Sequence, residues 1–354
     1  MNPSESLSPA TQQLSNYFKE VFLKFEKVEL PFVDHLSLAG YTLKLMGSSE
    51  ELQKIFLPSL AHLKIDKNQF GKTDLTIWYA DAKGMDSLIP EPPFDDFNGV
   101  GFSEAASEVG FYIYYQPAFR QVFLYSEEKK LGIYWALNRS TIPWWEPTFS
   151  FRIILHWWTK DKPLQLMHAG AAAVDQNGGW LIAGPSGSGK SSTCLTLLEQ
   201  ELLYLGDDYV LVKTDSEPAV FTVYQTAKLE PDNFQSRFGE FANYLQNPNS
   251  YLQEKAIFNI YEPFPDSFTA AVPLKGVLLP RVTGKPDSEI VPVSGGKALL
   301  GIAPTTLRHL PHFREESYQK MKNLIHQVPV LEWRLGTDKP DLLRSFLELN
   351  AAHP

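Results

Sequence analysis

Apolar and polar residues alternate differently in the two halves of the chain. In "YTLKLMG" (41–47) and "TDLTIWYAD" (73–81) apolar side chains recur at about every second position, the period of a strand with one face in a core. Between them, "SEELQKIFLPSLAHL" (49–63) has helical spacing, with Ser48 or Ser49 as its N-cap. Residues 1–15 are polar and Ser/Pro-rich and read as a frayed lead-in, and 85–107 as loop. "GFYIYYQPAFRQVFLYSEEKKLGIYWAL" (110–137) predicts three strands joined by short turns, an antiparallel meander. Two prolines interrupt the pattern in "STIPWWEPTF" (140–149), after which "FRIILHWW" (151–158) predicts a short buried helix. A boundary near residue 160 divides an N-terminal α+β domain (1–160) from a second half (161–354) in which strands and helices alternate.

In that second half, "LQLMHAGAAAVDQNGGWLIAG" (164–184) holds two apolar runs separated only by "DQNGG", a hairpin signal. The strand ending at Ala183 is therefore expected to pair antiparallel with its predecessor, since parallel neighbours need a crossover of about a dozen residues. A turn centred on Asn177 sets His168 opposite Ser186. "SSTCLTLLEQ" (191–200) then has helical spacing, and "LLYLGDDYVLV" (202–212) is an apolar strand interrupted by two carboxylates. Near the carboxyl end, 312–336 reads as a helix then a strand, and "DKPDLLRSFLEL" (338–349) as a helix with Pro340 in its first turn.

The chemistry concentrates between these strands. Gly184, Pro185, Ser186, Gly187, Ser188, Gly189, Lys190 and Ser191 spell G-x-x-x-x-G-K-S, followed by Ser192, between a strand and a helix. Glycines let successive N–H groups turn inward on phosphate oxygens, Lys190 brings a cation to the outer phosphates, and Ser191 offers a hydroxyl to Mg2+. Asp207 and Asp208 are costly in an apolar strand unless paired or metal-bound, although "GDD" is also a strand-end turn. His168 beside the loop would orient a carboxylate or sense the transferred phosphate, or serve as a hydrogen-bonded structural residue. Cys194 reads as packing. Trp144, Trp145, Trp157 and Trp158 suggest either a ring-stacking site or core, and core burial is the simpler reading.

The 354 residues are 44% hydrophobic and 21% charged, the balance of a folded protein, and the net charge of -9 argues against nucleic acid as partner. A single cysteine excludes an internal disulfide. No apolar run approaches the ~18 residues of a membrane span, and the first residues lack a signal-peptide layout, so the expectation is cytoplasmic with no membrane partner.

Taken together, "MHAGAAAV", "WLIAGPSGSGKSS" and "YLGDDYVLV" resemble the catalytic core of the HPr kinase/phosphorylase family over residues 160–230. Similar too are HPr-kinase-like proteins of bacterial biosynthetic clusters, some of which phosphorylate serine in peptides. The phosphoenolpyruvate carboxykinases are distant structural relatives of this core. The resemblance implies an α/β fold, a P-loop kinase domain with a mixed sheet, and ATP with Mg2+ as donor and cofactor. It also implies Asp207 as catalytic base, Asp208 as its partner near the metal, and His168 beside the phosphate. Lys228, with Glu230 nearby, becomes a candidate phosphate or metal contact. The Gly-rich acidic segment that follows the Asp pair in true HPr kinases is not recognisable here, nor is their amino-terminal half, so HPr as substrate and the reverse reaction are not implied. The expected function is transfer of the γ-phosphate to a serine hydroxyl of a peptide, protein or small molecule. The alternatives are a nucleotide-binding regulatory or assembly module without transfer, and a transporter-type ATPase suggested by "VSGGKALLG" (293–301) but opposed by the hairpin. Homo-oligomerisation stays open.

Overall fold

The computed structural model describes residues 9–66, 68, 71–85, 88–92, 101–103 and 110–353. By packing the chain divides into two units, Met1–Leu57 with Leu63–Trp158, and Pro58–His62 with Thr159–Pro354.

The first unit contains α1 (Pro9–Phe25), β1 (Phe32–Leu38), β2 (Tyr41–Gly47), α2 (Glu50–Phe56), β3 (Leu75–Asp81), α3 (Ala82–Met85), β4 (Phe111–Gln116), β5 (Gln121–Ser126), β6 (Leu131–Ala136) and α4 (Arg152–Trp158). Its sheet runs β1-β2-β3-β6-β5-β4, with β2-β3 and β3-β6 parallel and β6-β5-β4 the expected antiparallel meander. Ser49 is the residue that caps α2, accepting from the Leu52 amide. Residues 9–15 are not a frayed lead-in: they form the start of α1, because Leu14, Phe18, Val21 and Phe25 make an apolar stripe that packs with Ile113, Leu124 and Ile133. Residues 1–8, and most of the loop expected over 85–107, lie outside the described residues. Trp157 and Trp158 are core residues, 1% and 2% exposed.

The second unit contains β7 (Leu164–Met167), β8 (Ala169–Asp175), β9 (Gly178–Ala183), α5 (Lys190–Glu199), β10 (Leu203–Gly206), β11 (Val210–Lys213), β12 (Ala219–Thr222), β13 (Thr226–Leu229), α6 (Pro231–Arg237), β14 (Ala256–Asn259), β15 (Ala271–Val282), β16 (Glu289–Pro292), α7 (Gly295–His309), α8 (Arg314–Gln327), β17 (Val330–Leu335) and α9 (Lys339–Ala352). It is a mixed α/β arrangement. β15 organises the sheet: its first residues pair antiparallel with β12, its middle ones parallel with β9 and its last ones parallel with β17. β9 pairs antiparallel with β8 on its other side, as the hairpin signal predicts.

Alternation along β9 builds a core on each face. Trp180 and Ile182 pack with Cys194, Leu195 and Leu198 of α5 and with Phe346 of α9. Leu181 and Ala183 pack on the opposite side with Ile302 of α7 and Met321 and Leu324 of α8. "VSGGKALLG" is the start of α7, its Ser294 accepting from the Lys297 amide as an N-cap.

Two interruptions in this sheet matter for the site. "LQLMHAGAAAV" is two strands, β7 and β8, broken at His168, and "LLYLGDDYVLV" is also two, β10 and β11, broken at Asp207-Asp208. β7 pairs with β11 and β8 with β10, both antiparallel, so the breaks fall opposite each other: Met167 faces Val210 on one side and Ala171 faces Gly206 on the other.

Candidate active site

The glycine-rich loop connects β9 to α5. Gly187 and Gly189 have φ of 78° and 105°, the left-handed region that glycine enters without strain. Gly189 is also the N-cap of α5 and supplies no side-chain cap, so the first amides of a ten-residue helix are left to meet another acceptor. The Lys190 ammonium is folded back on the loop, donating to the carbonyls of Gly184 at 2.9 Å and Pro185 at 3.1 Å. Burial lowers its pKa, against the pull of Asp208 and Asp207.

The paired breaks bring the charged residues together. His168 Nε2 lies 2.9 Å from Asp208 Oδ1, and Lys228 Nζ 2.5 Å from Asp208 Oδ2. The backbone amide of His168 donates to Thr306 Oγ1 of α7, and its ring packs against His309 and Tyr209. The Lys228 ammonium and the hydrogen bond from His168 hold the Asp208 carboxyl well below the usual range despite its desolvation. Asp207, its neighbour in the break between β10 and β11, does not line the cavity that Asp208 lines. It is 1% exposed, its Oδ2 accepts from the Lys228 amide at 3.1 Å, and its Oδ1 has no hydrogen-bond partner. Burial and the Asp208 charge push its pKa up to about 7, opposed by Lys228 and by the nearby Ser191 hydroxyl.

Close backbone approach makes this possible. A methyl on Gly170 of β8 would meet Cys194 Sγ at 2.5 Å, the Gly206 carbonyl at 2.9 Å and Asp207 Cα at 3.0 Å. Cys194 itself is fully buried and its thiol is pushed well up by desolvation, in keeping with a packing role.

A cavity of about 450 Å³ joins these groups, within the range of small-molecule sites. Of the residues singled out from sequence, His168, Ser186, Gly187, Gly189, Lys190, Ser191, Ser192, Asp208, Lys228 and Glu230 line it. Gly184, Pro185, Ser188 and Asp207 do not; Asp207 lies next to Ser191 and the Lys228 amide. Glu230 is paired with Lys255 at 2.7 Å. His168 does not sit opposite Ser186. Ala169 pairs with Ala183, which sets His168 level with Gly184, because the turn is two residues and a bulge follows Ala173. Sequence reading missed Thr196, Asn233, Arg237, Lys255 and the 335–337 segment, which also line the cavity. Thr196 lies on α5, Asn233 and Arg237 on α6, Lys255 just before β14 and the 335–337 segment at the end of β17, and no local motif marks them.

No family model matches the chain, and no curated protein matches it. Among solved structures it is similar to one described as the Hpr(Ser) kinase/phosphatase from Coxiella burnetii, at 12% identity and a TM-score of 0.30, covering 53% of this chain and 96% of that one. At that level the functional reading rests on the chemistry of the site itself.

Proposed function

We propose that the second unit is an ATP- and Mg2+-dependent phosphotransferase that moves the γ-phosphoryl group to a serine hydroxyl of a peptide, a protein or a small molecule. The observation that carries this reading is the presence, in one cavity, of an uncapped glycine-rich loop with its lysine and of a carboxylate held between His168 and Lys228. A loop alone would serve any nucleotide-binding protein. An ionised carboxylate in the same cavity adds a group able to receive the acceptor's proton.

The roles divide by position. Asp208 faces the cavity, so in this proposal it takes the proton of the acceptor hydroxyl as that oxygen bonds to the γ-phosphorus and the bond to the bridging oxygen breaks, releasing ADP. Its low basicity is no obstacle, since phosphoryl transfer proceeds through a loose transition state in which positioning matters more than base strength. His168 orients Asp208, and Lys190, released from the Gly184 and Pro185 carbonyls, turns to the phosphates. Asp207 is out of the cavity but next to Ser191, and its unpartnered Oδ1 suits a metal or a metal-bound water. Mg2+ held there with Ser191 would neutralise charge on the phosphate oxygens. The assignment made from resemblance, with Asp207 as base and Asp208 near the metal, is thus exchanged.

The test is transfer of label from γ-labelled ATP to a panel of serine peptides and cell extract. Asp208→Asn is expected to lower transfer by ~10² to 10⁴, the usual worth of a positioned base, with ADP affinity unchanged. Full transfer by this variant would overturn the assignment, and a wild-type protein that labels no acceptor would favour the nucleotide-binding module.

A further inference from the structure

The cavity is larger than the phosphate chemistry needs. Its lining falls into two parts on either side of the loop: an acid-base end with His168, Asp208 and Lys228, and an extension along the flank of α5. The extension has Ser192 and Thr196 on its floor, one helical turn apart. One wall is α6, whose Asn233 donates to Ser192 Oγ at 3.2 Å and whose Arg237 stands one turn farther from the loop. The other wall is apolar, made by Val282, Leu335 and Leu342. Beyond it Lys339 ties α9 to Glu199 of α5 and to the Arg237 carbonyl, which closes that end.

Three features of this flank have no explanation inside the protein. Thr196 is 1% exposed, yet its Oγ1 has no hydrogen-bond partner. A helical threonine ordinarily bonds back to a carbonyl of the preceding turn, and a buried hydroxyl left unpaired costs about 1–3 kcal/mol. Arg237 lines the cavity and its guanidinium has no ion pair among the described residues, whereas Lys228 and Lys255 are each matched by a carboxylate. Val282 is 59% exposed, a β-branched side chain at the rim of a polar cavity.

We propose that this flank is the subsite for the nucleoside of the phosphate donor, with Thr196, Asn233 and Arg237 as its polar contacts and Val282, Leu335 and Leu342 as the surface on which the base lies. The inference rests on the phosphotransferase reading above, since it takes the loop as the triphosphate site. From the loop, the chain of phosphates passes Ser192 and the sugar and base follow along α5. A base presents one flat apolar face and an edge of acceptors and donors. The flank matches it with an apolar wall on one side and a guanidinium, an amide and a free hydroxyl on the other.

The experiment compares two probes that share the triphosphate, Mg-ATP and Mg-tripolyphosphate, by calorimetric titration of the full chain. Wild type is expected to bind Mg-ATP at least ~10-fold more tightly, the worth of two or more net hydrogen bonds. Thr196→Val should weaken Mg-ATP by about three- to ten-fold and Arg237→Met by ~10-fold or more, with tripolyphosphate held within about two-fold. Retained tripolyphosphate binding reports that each variant has kept the loop folded. Equal affinity of wild type for the two probes would overturn the subsite, as would variants that weaken both probes alike or neither. If wild type bound neither probe, the phosphate site would fall, and the nucleoside subsite with it.

Discussion

Gly170→Ala tests whether the approach of β8 to the aspartate-bearing turn sets the site. Glycine is not needed there for its backbone angles, which lie outside the left-handed region, so any effect comes from crowding. The added methyl would lie 2.5 Å from Cys194 Sγ, 2.9 Å from the Gly206 carbonyl and 3.0 Å from Asp207 Cα. Ordinary carbon contacts are ~3.5–4.0 Å, so sulfur must retreat by ~1 Å and the backbone by at least ~0.5 Å. Overpacking of this kind costs ~1–3 kcal/mol, offset by ~0.4–1 kcal/mol from the smaller entropy of the unfolded chain. The net expectation is a loss of about 1–2 kcal/mol, accompanied by a shift of Asp207 and Asp208 relative to the loop. A displacement of ~1 Å at a reacting group can cost ~10² in rate.

Stability is best read by hydrogen exchange of peptides covering 164–212 in a urea series, which reports the second unit even though the chain has two. Transfer rate is measured in parallel. Adding Cys194→Ala removes the sulfur and leaves two backbone atoms in place, so it should recover part of the stability and little of the rate. Unchanged stability and rate in Gly170→Ala would refute the reasoning. So would full recovery of rate in the double variant, because the backbone approach would then not be limiting.

Two further changes probe the charges directly. Asp207 is protonated more readily in the folded state, with a pKa near 7 against 3.8 unfolded, so its contribution to stability falls as pH rises from about 4 to 7 and then levels off. Asp207→Asn abolishes that loss and should exceed wild type in urea midpoint by more at pH 8 than at pH 5; a gap that is constant or reversed would contradict the buried charge. Lys228→Met leaves Asp208 with His168 alone and should cost about 3 kcal/mol, the lower end for a buried pair because Asp208 retains 22% of its side-chain surface, as read from the same unfolding series. A loss under ~0.5 kcal/mol would mean that the pair behaves as an exposed one.

What was legible in the sequence was local. The β9–loop–α5 succession, the hairpin before it and the meander of the first unit are encoded by spacing and turn residues within about twenty positions. The clustering of His168 with the aspartates was expected only in outline, because an apolar run does not reveal where a strand leaves one partner for another. "LQLMHAGAAAV" has no Gly-Pro punctuation at His168, and its two halves differ only in which strand they find. The one-residue bulge after Ala173 likewise moved the register by an amount that no count from Asn177 could supply. The helix α1 was hidden by its polar, proline-bearing start, although Leu14, Phe18, Val21 and Phe25 carry its period. Beyond Ser192 the flank of α5 was not legible, since Arg237, Val282 and Leu342 meet only through tertiary packing.

The paired strand breaks explain why the charges are stable where they are. A continuous strand through 164–175 would have used the amides near His168 in a ladder and left no gap for side chains between neighbours. Breaking both β7-β8 and β10-β11 at the same level removes the ladder between Met167–Val210 and Ala171–Gly206, and into that opening go an imidazole and two carboxylates. Three of the four Asp207 and Asp208 oxygens find donors from His168 and Lys228. The fourth, Asp207 Oδ1, does not, and its cost falls on a fold that a hydrophobic substitute would relieve. That residual cost is what a cation beside Ser191 would offset, so stability and metal binding should be coupled at Asp207 and not at Asp208.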